Sequence, residues 1–244
     1  AWTENKTDGT RNYYADGRKM DEVAGYIDVR QQLQKWITLD AAFRYNHNSV
    51  AGNELIPQFS VNVVPKEYTV LKATISKGFR NPTLRELYMF RPANDALKAE
   101  RLWNYELSWM HKVNAFNYSM NLFYIDADNL IQTEFINGKI LNVNSGKLYN
   151  WGYEAMAAYN VSNNLEFNAN YSYLHTSKEV TAAPRHKLHV GGDWHSGIWR
   201  ISTSMQWIGH LLTSTSPSGD VQNYVLWTFS SNCQVTRYLN IFAK

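Results

Sequence analysis

Apolar and polar residues alternate along most of this chain with a period of two, which is the pattern of a β-strand with two unlike faces. The segment 68–79 shows the pattern clearly. Its apolar positions are Leu71, Ala73 and Ile75, and the polar positions between them are Lys72, Thr74 and Ser76. We therefore expect an all-β fold in which one face of each strand meets apolar surroundings.

The same pattern, read along the whole chain, predicts about twelve antiparallel strands. They cover 23–33, 36–46, 58–64, 68–79, 100–112, 117–125, 146–160, 165–175, 185–195, 198–207 and 223–235, with a last strand from about 238. Short turns are expected near 34, 66, 115, 163, 197 and 237, and long loops near 50, 90, 135, 180 and 215. The long excursion at 126–145 contains Asn137-Gly138, a pair typical of a tight hairpin turn.

The alternation of short and long connections favours a membrane barrel. Outer-membrane barrels have short periplasmic turns and long extracellular loops, whereas a soluble sandwich has no reason to keep its long loops at one end. The polar strand faces carry Asn, Ser, Thr, Glu, Arg and Gln, as a wet lumen would. Rings near strand ends suit the two interfacial girdles: Trp199, Trp207, Tyr118 and Tyr124. A soluble antiparallel protein also alternates and is the structural alternative.

Composition further limits the class of protein to which this chain could belong. The chain of 244 residues is 44% hydrophobic and 14% aromatic, with a mean hydropathy of −0.45. Its strongest apolar run, 224–229, is far shorter than the roughly 20 residues of a membrane helix, which leaves strands of about 9–11 residues as the means of crossing. The formal charge of +3 is spread along the chain without a basic stripe or a glycine-rich phosphate loop. Nucleic acid is therefore not expected as a partner.

The two ends of the sequence suggest a piece of a longer chain. The start at Ala1 is polar and does not resemble a signal peptide, and 239–244 stops within an alternating strand. The single cysteine, Cys233, has no partner for an internal disulfide and is expected to pack as a small apolar residue.

Several segments resemble TonB-dependent outer-membrane receptors. The stretch Ser76-Lys-Gly-Phe-Arg-Asn-Pro-Thr-Leu-Arg-Glu-Leu-Tyr88, followed by Leu97-Lys-Ala-Glu-Arg-Leu-Trp-Asn-Tyr-Glu-Leu107, is similar to a hairpin signature of that family. Ser108 stands where the family often has glycine. The segments 123–131, 150–154 and 239–244 are also similar to family segments, and they occur in the same order.

The resemblance implies more than the spacing shows. Family members are 22-stranded transporters with a plugged lumen, and their N-terminal plug engages TonB. Residues 1–244 would then be a partial outer-membrane barrel domain, a fragment of about twelve strands without the plug. The implied function is active uptake of a scarce nutrient, such as an iron–siderophore complex, haem, cobalamin, a metal or a glycan. The implied partners are that nutrient, the protein's own plug, the TonB complex and the lipid of the bacterial outer membrane.

The loop at 80–99 is the candidate ligand site. It holds Tyr88, Phe90 and Arg91, which are two rings and a cation suited to a large anionic or planar ligand. The alternative is that these three side chains pack the loop against its neighbours. Pro82 is expected to end the preceding strand, because proline offers no N–H to a β-ladder.

Metal sites are weakly indicated. His186 and His189 point to opposite faces of a strand, and a possible pairing of His175 with His186 has no third ligand. Asp126 and Asp128 share a face and suit either calcium or a charged barrel rim. We predict no metal and no cofactor.

Catalysis is not expected either, because the sequence has no nucleophile elbow, no H-E-x-x-H helix and no Cys–His pairing. Two alternatives to a transporter stay open. One is a small outer-membrane barrel enzyme of about twelve strands, in which His210, Asp220 and nearby serines would be the candidate groups. The other is an adhesive barrel whose loops bind other surfaces.

Overall fold

A computed structural model describes residues 18–89, 92–214 and 219–244. These residues form twelve strands, which make one sheet in sequence order from β1 to β12. The strands are β1 Glu22–Gln34, β2 Ile37–Asn48, β3 Gly52–Lys66, β4 Thr69–Arg80, β5 Glu100–Val113, β6 Phe116–Ile136, β7 Lys139–Ser162, β8 Leu165–Thr176, β9 His186–Ser196, β10 Trp199–Leu212, β11 Val221–Thr236 and β12 Leu239–Ala243. One helix, α1, covers Leu84–Tyr88. No helix in this part of the chain has the length and apolar content to span a membrane.

The predicted all-β antiparallel fold with twelve strands is confirmed. Two predicted loops are wrong in extent. The loop expected at 47–56 is a tight turn, with β3 starting at Gly52, and the excursion at 126–145 is mostly the continuation of β6 and β7. In these segments apolar residues occur on both faces, as the neighbouring pairs Leu130-Ile131 and Phe135-Ile136 show, so the segments form ladders without the alternation that identifies a half-buried strand. The turn at Asn137-Gly138 is confirmed, with φ of 50° and 76°.

The fold contains two compact units. The first comprises the described part of Ala1–Val61 together with Thr74–Tyr105 and Ile125–Tyr149. The second comprises Asn62–Ala73, Glu106–Tyr124 and Asn150–Lys244. Three buried apolar side chains of the first unit lie in the segment that contains α1, namely Leu87, Leu97 and Ala99, of which Leu87 and Leu97 are 2% and 3% exposed.

In the second unit, an apolar row crosses five neighbouring strands. Its members are opposite one another in consecutive pairs: Ala157, Ala169, Val190, Met205 and Trp227. Directly opposed residues of paired strands project to the same face. The larger members are exposed, and Trp227 is 79% exposed. The larger side chains of this row are therefore not covered by other described residues, and they suit apolar surroundings.

The neighbouring row on the same strands is polar. It consists of Asn168, Gly191, Ser204 and Thr228, again in consecutive opposed pairs. Successive residues of a strand point to opposite faces, so this row lies on the face opposite Trp227. An apolar face backed by a polar face is the arrangement of a barrel wall between lipid and water.

Two groups of rings lie on the second unit. One group is beside the short turns after β5 and β7 and contains Trp109, His111, Phe116, Tyr118 and Tyr159. The other lies nearer the opposite strand ends and contains Trp151, Tyr153, Tyr171, Tyr173, His175, His186 and Trp207. Rings in the first group approach to 5.0 Å between the Trp109 and Tyr118 centroids. Such bands resemble the two aromatic girdles of membrane barrels.

The two faces of β6 should respond very differently to a new charge. Leu122 is 40% exposed, whereas Asn121 accepts a hydrogen bond from the Ser108 hydroxyl at 2.7 Å. In lipid vesicles, Leu122→Arg is expected to lower the free energy of unfolding by about 2–4 kcal/mol, the cost of arginine facing the bilayer midplane. Asn121→Arg should cost only the lost hydrogen bond, about 1 kcal/mol. Denaturant titration of both variants measures this difference, and equal costs would show that the faces are assigned wrongly.

Candidate functional site

Arg80 holds the candidate loop at its base. This residue ends β4, and its guanidinium donates hydrogen bonds to two carboxylates. Two nitrogens bond the Glu86 carboxylate, each at 3.0 Å, and Nε and Nη2 bond the Glu100 carboxylate at 2.5 and 2.9 Å. Fork-shaped pairing of this kind fixes orientation as well as charge. One side chain thereby links the end of β4, the helix in the loop and the start of β5.

The helix α1 begins with a capping box. The Thr83 backbone N–H and hydroxyl both donate to the Glu86 carboxylate, at 2.7 and 2.9 Å, and the Glu86 N–H donates back to the Thr83 hydroxyl. This reciprocal arrangement satisfies donors that a helix start leaves unpaired. Sequence reasoning did not predict α1, although Thr83 and Glu86 have the required spacing.

The loop is also fixed by burial. Pro82 is among the most completely buried side chains of the described residues, and Leu87, Leu97 and Ala99 are buried with it. Full burial of a leucine side chain contributes roughly 1.5–3 kcal/mol. The expected role of Pro82 fits its position, because β4 ends two residues earlier.

The second half of the loop pairs with β7. The Asn142 N–H donates to the Pro92 carbonyl at 2.7 Å, and the Asn94 side chain donates to the Asn142 carbonyl at 2.7 Å. The Asn144 side chain donates to the Lys98 carbonyl at 2.9 Å and accepts from the Lys98 N–H at 2.8 Å. The extended hairpin of β6 and β7 therefore supports the loop through backbone groups.

A second charged cluster lies in the same unit. The Glu54 side chain is 4% exposed and accepts hydrogen bonds from Lys77 at 2.8 Å and from Arg101 at 2.8 and 2.5 Å. A buried carboxylate with two cationic partners is compensated, so the cluster is best explained as a structural anchor. Lys77 and Arg101 both belong to the segments that resemble the receptor family.

The three predicted site residues are only partly described. Tyr88 ends α1 and is half-buried, and the Arg18 guanidinium lies over its ring at 4.8 Å from the centroid. Phe90 and Arg91 lie outside the described residues. A site formed by Tyr88, Phe90 and Arg91 stays a prediction. The Tyr88–Arg18 contact shows that this ring accepts a cation on its face.

The histidine pairing considered from the sequence is wrong in register. His186 lies opposite Tyr173 rather than His175, and its Nδ1 is 2.8 Å from the Tyr171 hydroxyl. Its ring stacks on Trp207 at 5.9 Å, so it belongs to an aromatic band. Among the described residues, no group of three or more His, Cys, Asp or Glu side chains is arranged to hold a metal ion.

A cavity of about 410 Å³ lies at the ends of β8, β9, β10 and β11, within the second unit. Its lining includes Lys178, Arg185 and His210, with Glu179 as the acidic member and Leu212 as a buried wall. Sequence reasoning considered His210 only as a candidate catalytic group. The cavity could not be found from the sequence, because its residues come from two loops that only strand pairing brings together.

Removing the Arg80 clamp should loosen the loop locally. Arg80→Gln leaves two carboxylates without their shared cation. For a partly exposed network this should cost about 1–2 kcal/mol. We expect amide hydrogen exchange in 81–99 to accelerate by roughly 5–30-fold, as that energy implies. Lys98→Gln is the control, because it removes one positive charge from the same loop and leaves the backbone bonds of Lys98 intact. Equal exchange in both variants would contradict the clamp.

Acid should loosen the same loop. Burial alone would raise the pKa of the Glu86 carboxyl, but hydrogen bonds from Arg80 and Thr83 outweigh it and leave the pKa below the ordinary value of 4.5. A carboxyl with a lowered folded-state pKa stabilises the fold above its unfolded pKa and loses that contribution as the pH falls through the folded value. Pepsin cleavage within 81–99 should therefore rise as the pH falls below about 4.5. Arg80→Gln should flatten this dependence, and an unchanged profile would refute the explanation.

Comparison with known proteins places these features in a family. The family model for the TonB dependent receptor-like β-barrel matches residues 2–243. A search of curated proteins found no match. Among solved structures, a variant of the ferric enterobactin receptor PfeA from Pseudomonas aeruginosa has a TM-score of 0.81 at 18% identity, covering 99% of this chain and 41% of that one.

Two further structures are similar. The siderophore receptor PirA from Pseudomonas aeruginosa has a TM-score of 0.76 at 20% identity, over 92% of this chain and 42% of that one. The copper transporter OprC has a TM-score of 0.72 at 13% identity, over 89% and 40%. At these identities the likeness concerns the fold, and the chain spans about two fifths of each neighbour's length. Because the family match extends over nearly the whole sequence, this chain belongs to the TonB-dependent receptor β-barrel family, a family of outer-membrane transport receptors rather than enzymes.

Proposed function

We propose that the protein is an outer-membrane receptor for TonB-dependent uptake of a scarce nutrient, and that residues 1–244 contribute barrel strands to it. The observation that carries this proposal is the family match over residues 2–243, which includes the segments around Arg80 and Glu100. Membership of a receptor family supports transport more directly than any single side chain does. The small-barrel enzyme and the adhesin lack comparable support.

The strand faces support a position in the bacterial outer membrane. An exposed apolar row that ends at Trp227 needs surroundings in which its side chains are not in water. Lipid provides such surroundings, and the polar row through Asn168 and Ser204 then borders the water-filled side.

The plug domain and the contact with TonB complete the proposed receptor. The solved neighbours are more than twice as long as this chain, which spans 41% of PfeA and 42% of PirA. We place the protein's own plug and the segment that engages the TonB complex outside residues 1–244. The strands described here would form part of the wall around that plug.

A metal complex is the first nutrient class to test. PfeA is named for ferric enterobactin, PirA for a siderophore and OprC for copper. The loop at 80–99 offers aromatic rings and cations, which suit a large anionic complex better than a bare cation. An iron–siderophore complex therefore precedes haem, cobalamin, a free metal or a glycan as the nutrient in this proposal.

Transport is tested in a strain that lacks the gene. We expect the deletion to abolish energised uptake of one radiolabelled ferric siderophore from a panel, and the full-length gene to restore it. Uptake should also stop when TonB is removed while surface binding persists, because energy enters through the plug and not through the barrel wall. Uptake that is independent of TonB would contradict the proposal. A deletion that alters surface adhesion or hydrolysis of an outer-membrane substrate instead would favour one of the alternatives.

The proposed site in the loop is tested separately. Replacing Tyr88, Phe90 and Arg91 together with alanine should weaken ligand binding and leave barrel assembly intact. Loss of two rings and a cation should cost a few kcal/mol, and each 1.4 kcal/mol corresponds to about a tenfold loss of affinity. The measurement is ligand affinity on whole cells at matched surface expression.

Asp95→Ala with Lys98→Ala is the control pair, since both exposed residues lie in the same loop. It should change affinity little. If the triple variant binds like the unaltered receptor, the loop at 80–99 is not part of the site, and the loops around 135 and 215 become the candidates.

A further inference from the structure

Described residues of two loops line the cavity at the ends of β8 to β11. The first loop joins β8 to β9, and the second, which contributes Gly219, joins β10 to β11. The Ala182 N–H donates to the Leu212 carbonyl at 3.0 Å, and the Arg185 N–H donates to the His210 carbonyl at 3.2 Å. These two backbone bonds tie the first loop to the end of β10. The cavity walls are therefore held by backbone hydrogen bonds, which a change of side chain leaves in place.

The charge of the lining is mainly positive. Lys178, Arg185 and His210 contribute cationic or ionisable nitrogen groups, and Glu179 contributes one carboxylate. All four side chains are exposed, so solutes reach them, while Leu212 on the wall is buried. A cavity with this lining attracts negative charge and offers N–H donors to hold it.

Positive φ values occur at two residues beside the cavity, one in the loop between β8 and β9 and one near the end of β10. Among the described residues, five other than glycine have positive φ, and three of these are asparagines, which tolerate that conformation. The remaining two are Ala182 at 61° and His210 at 54°. Histidine adopts this conformation more readily than most residues, whereas alanine persists there only when surrounding contacts impose it, and strained residues of that kind cluster at functional sites.

His210 is directed by an irregularity in its strand. The pairing of β10 with β11 shifts register between Ile208 and Leu211, and the His210 N–H donates to the Asn223 side chain at 2.8 Å. Bulges of this kind re-aim a side chain and are common beside binding sites. The irregularity leaves the His210 side chain among the residues that line the cavity.

From these observations we propose that the cavity binds an anionic, oxygen-rich group, a carboxylate or a phosphate, through Arg185, Lys178 and His210. Arginine pairs with both oxygens of such a group through its planar fork, and lysine adds a point charge. Two sources have this chemistry: a small soluble anion and the phosphate headgroup of a neighbouring lipid. The inference goes beyond the proposed function, and it stands whether or not the protein transports a nutrient.

The test uses the full-length protein purified in a zwitterionic detergent. The probes are citrate and inorganic phosphate for the soluble source, and mixed micelles containing phosphatidic acid for the lipid source. Affinity is measured by isothermal titration calorimetry for the unaltered protein and three variants. Lys178→Gln with Arg185→Gln removes two charges from the cavity, and His210→Asn removes the ring while keeping a residue that tolerates positive φ.

The matched control is Lys112→Gln with Arg237→Gln, which removes the same net charge from residues of the same unit that do not line the cavity. We expect the cavity double variant to weaken binding of at least one probe by tenfold or more, His210→Asn to weaken it several-fold, and the control to change it less than twofold. Citrate or phosphate binding identifies a soluble anion as the source, and binding of phosphatidic acid alone identifies a lipid headgroup.

Two results would overturn the proposal. One is equal weakening in the cavity variant and the control, which would mean that only the overall surface charge attracts the probes. The other is no measurable binding of any of the three probes to the unaltered protein. Because the readout is binding to purified protein, neither result depends on whether energised uptake is observed in cells.

Discussion

The pairing of backbone N–H and C=O groups is the constraint on which this structure depends. In a lipid environment each unpaired peptide group costs several kcal/mol. Strands can therefore cross a membrane only if their peptide groups are hydrogen-bonded to neighbouring strands. The ten inner strands of the described sheet meet this demand, because each lies between two neighbours in sequence order, whereas β1 and β12 each pair with one strand among the described residues. Once the ladder is fixed, the period of two divides the side chains between an apolar face and a polar face. The row from Ala157 to Trp227 and the row from Asn168 to Thr228 are the direct result.

This arrangement of strands explains the structural roles of several residues in the segments that resemble the family. Arg80 and Glu100 join the ends of β4 and β5, and Thr83 and Glu86 start the helix between them. Arg80, Thr83, Glu86 and Glu100 therefore support the loop between β4 and β5. Gly152 is explained by close packing, because a Cβ at that position would lie 2.1 Å from the Tyr173 carbonyl oxygen and 2.7 Å from the Phe123 ring.

The sequence predicted the strands better than the loops, for an identifiable reason. Alternation shows where one face of a strand is apolar, so β4, β5 and β8 were predicted to within about two residues. The predicted β6 and β7 were too short because apolar and polar residues no longer alternate in 126–145. The Asn137-Gly138 turn could be predicted from the sequence because its positive φ values favour those residue types. The clamp at Arg80 and the cavity around Arg185 and His210 were not predicted, because they depend on register between distant segments. Tyr88 was placed in the right loop, and its role stays a prediction together with those of Phe90 and Arg91.

The most direct measurement asks whether the two faces of one strand meet lipid and water. In a Cys233→Ser background, single cysteines at 201 to 206 of β10 are spin-labelled in the full-length protein in lipid vesicles. The collision rates are then measured with oxygen, which partitions into lipid, and with a water-soluble nickel chelate. Labels at 201, 203 and 205 should collide with oxygen, and labels at 202, 204 and 206 with the chelate. Chelate access at all six positions would contradict a membrane-spanning wall and with it the assignment of this chain to an outer-membrane receptor.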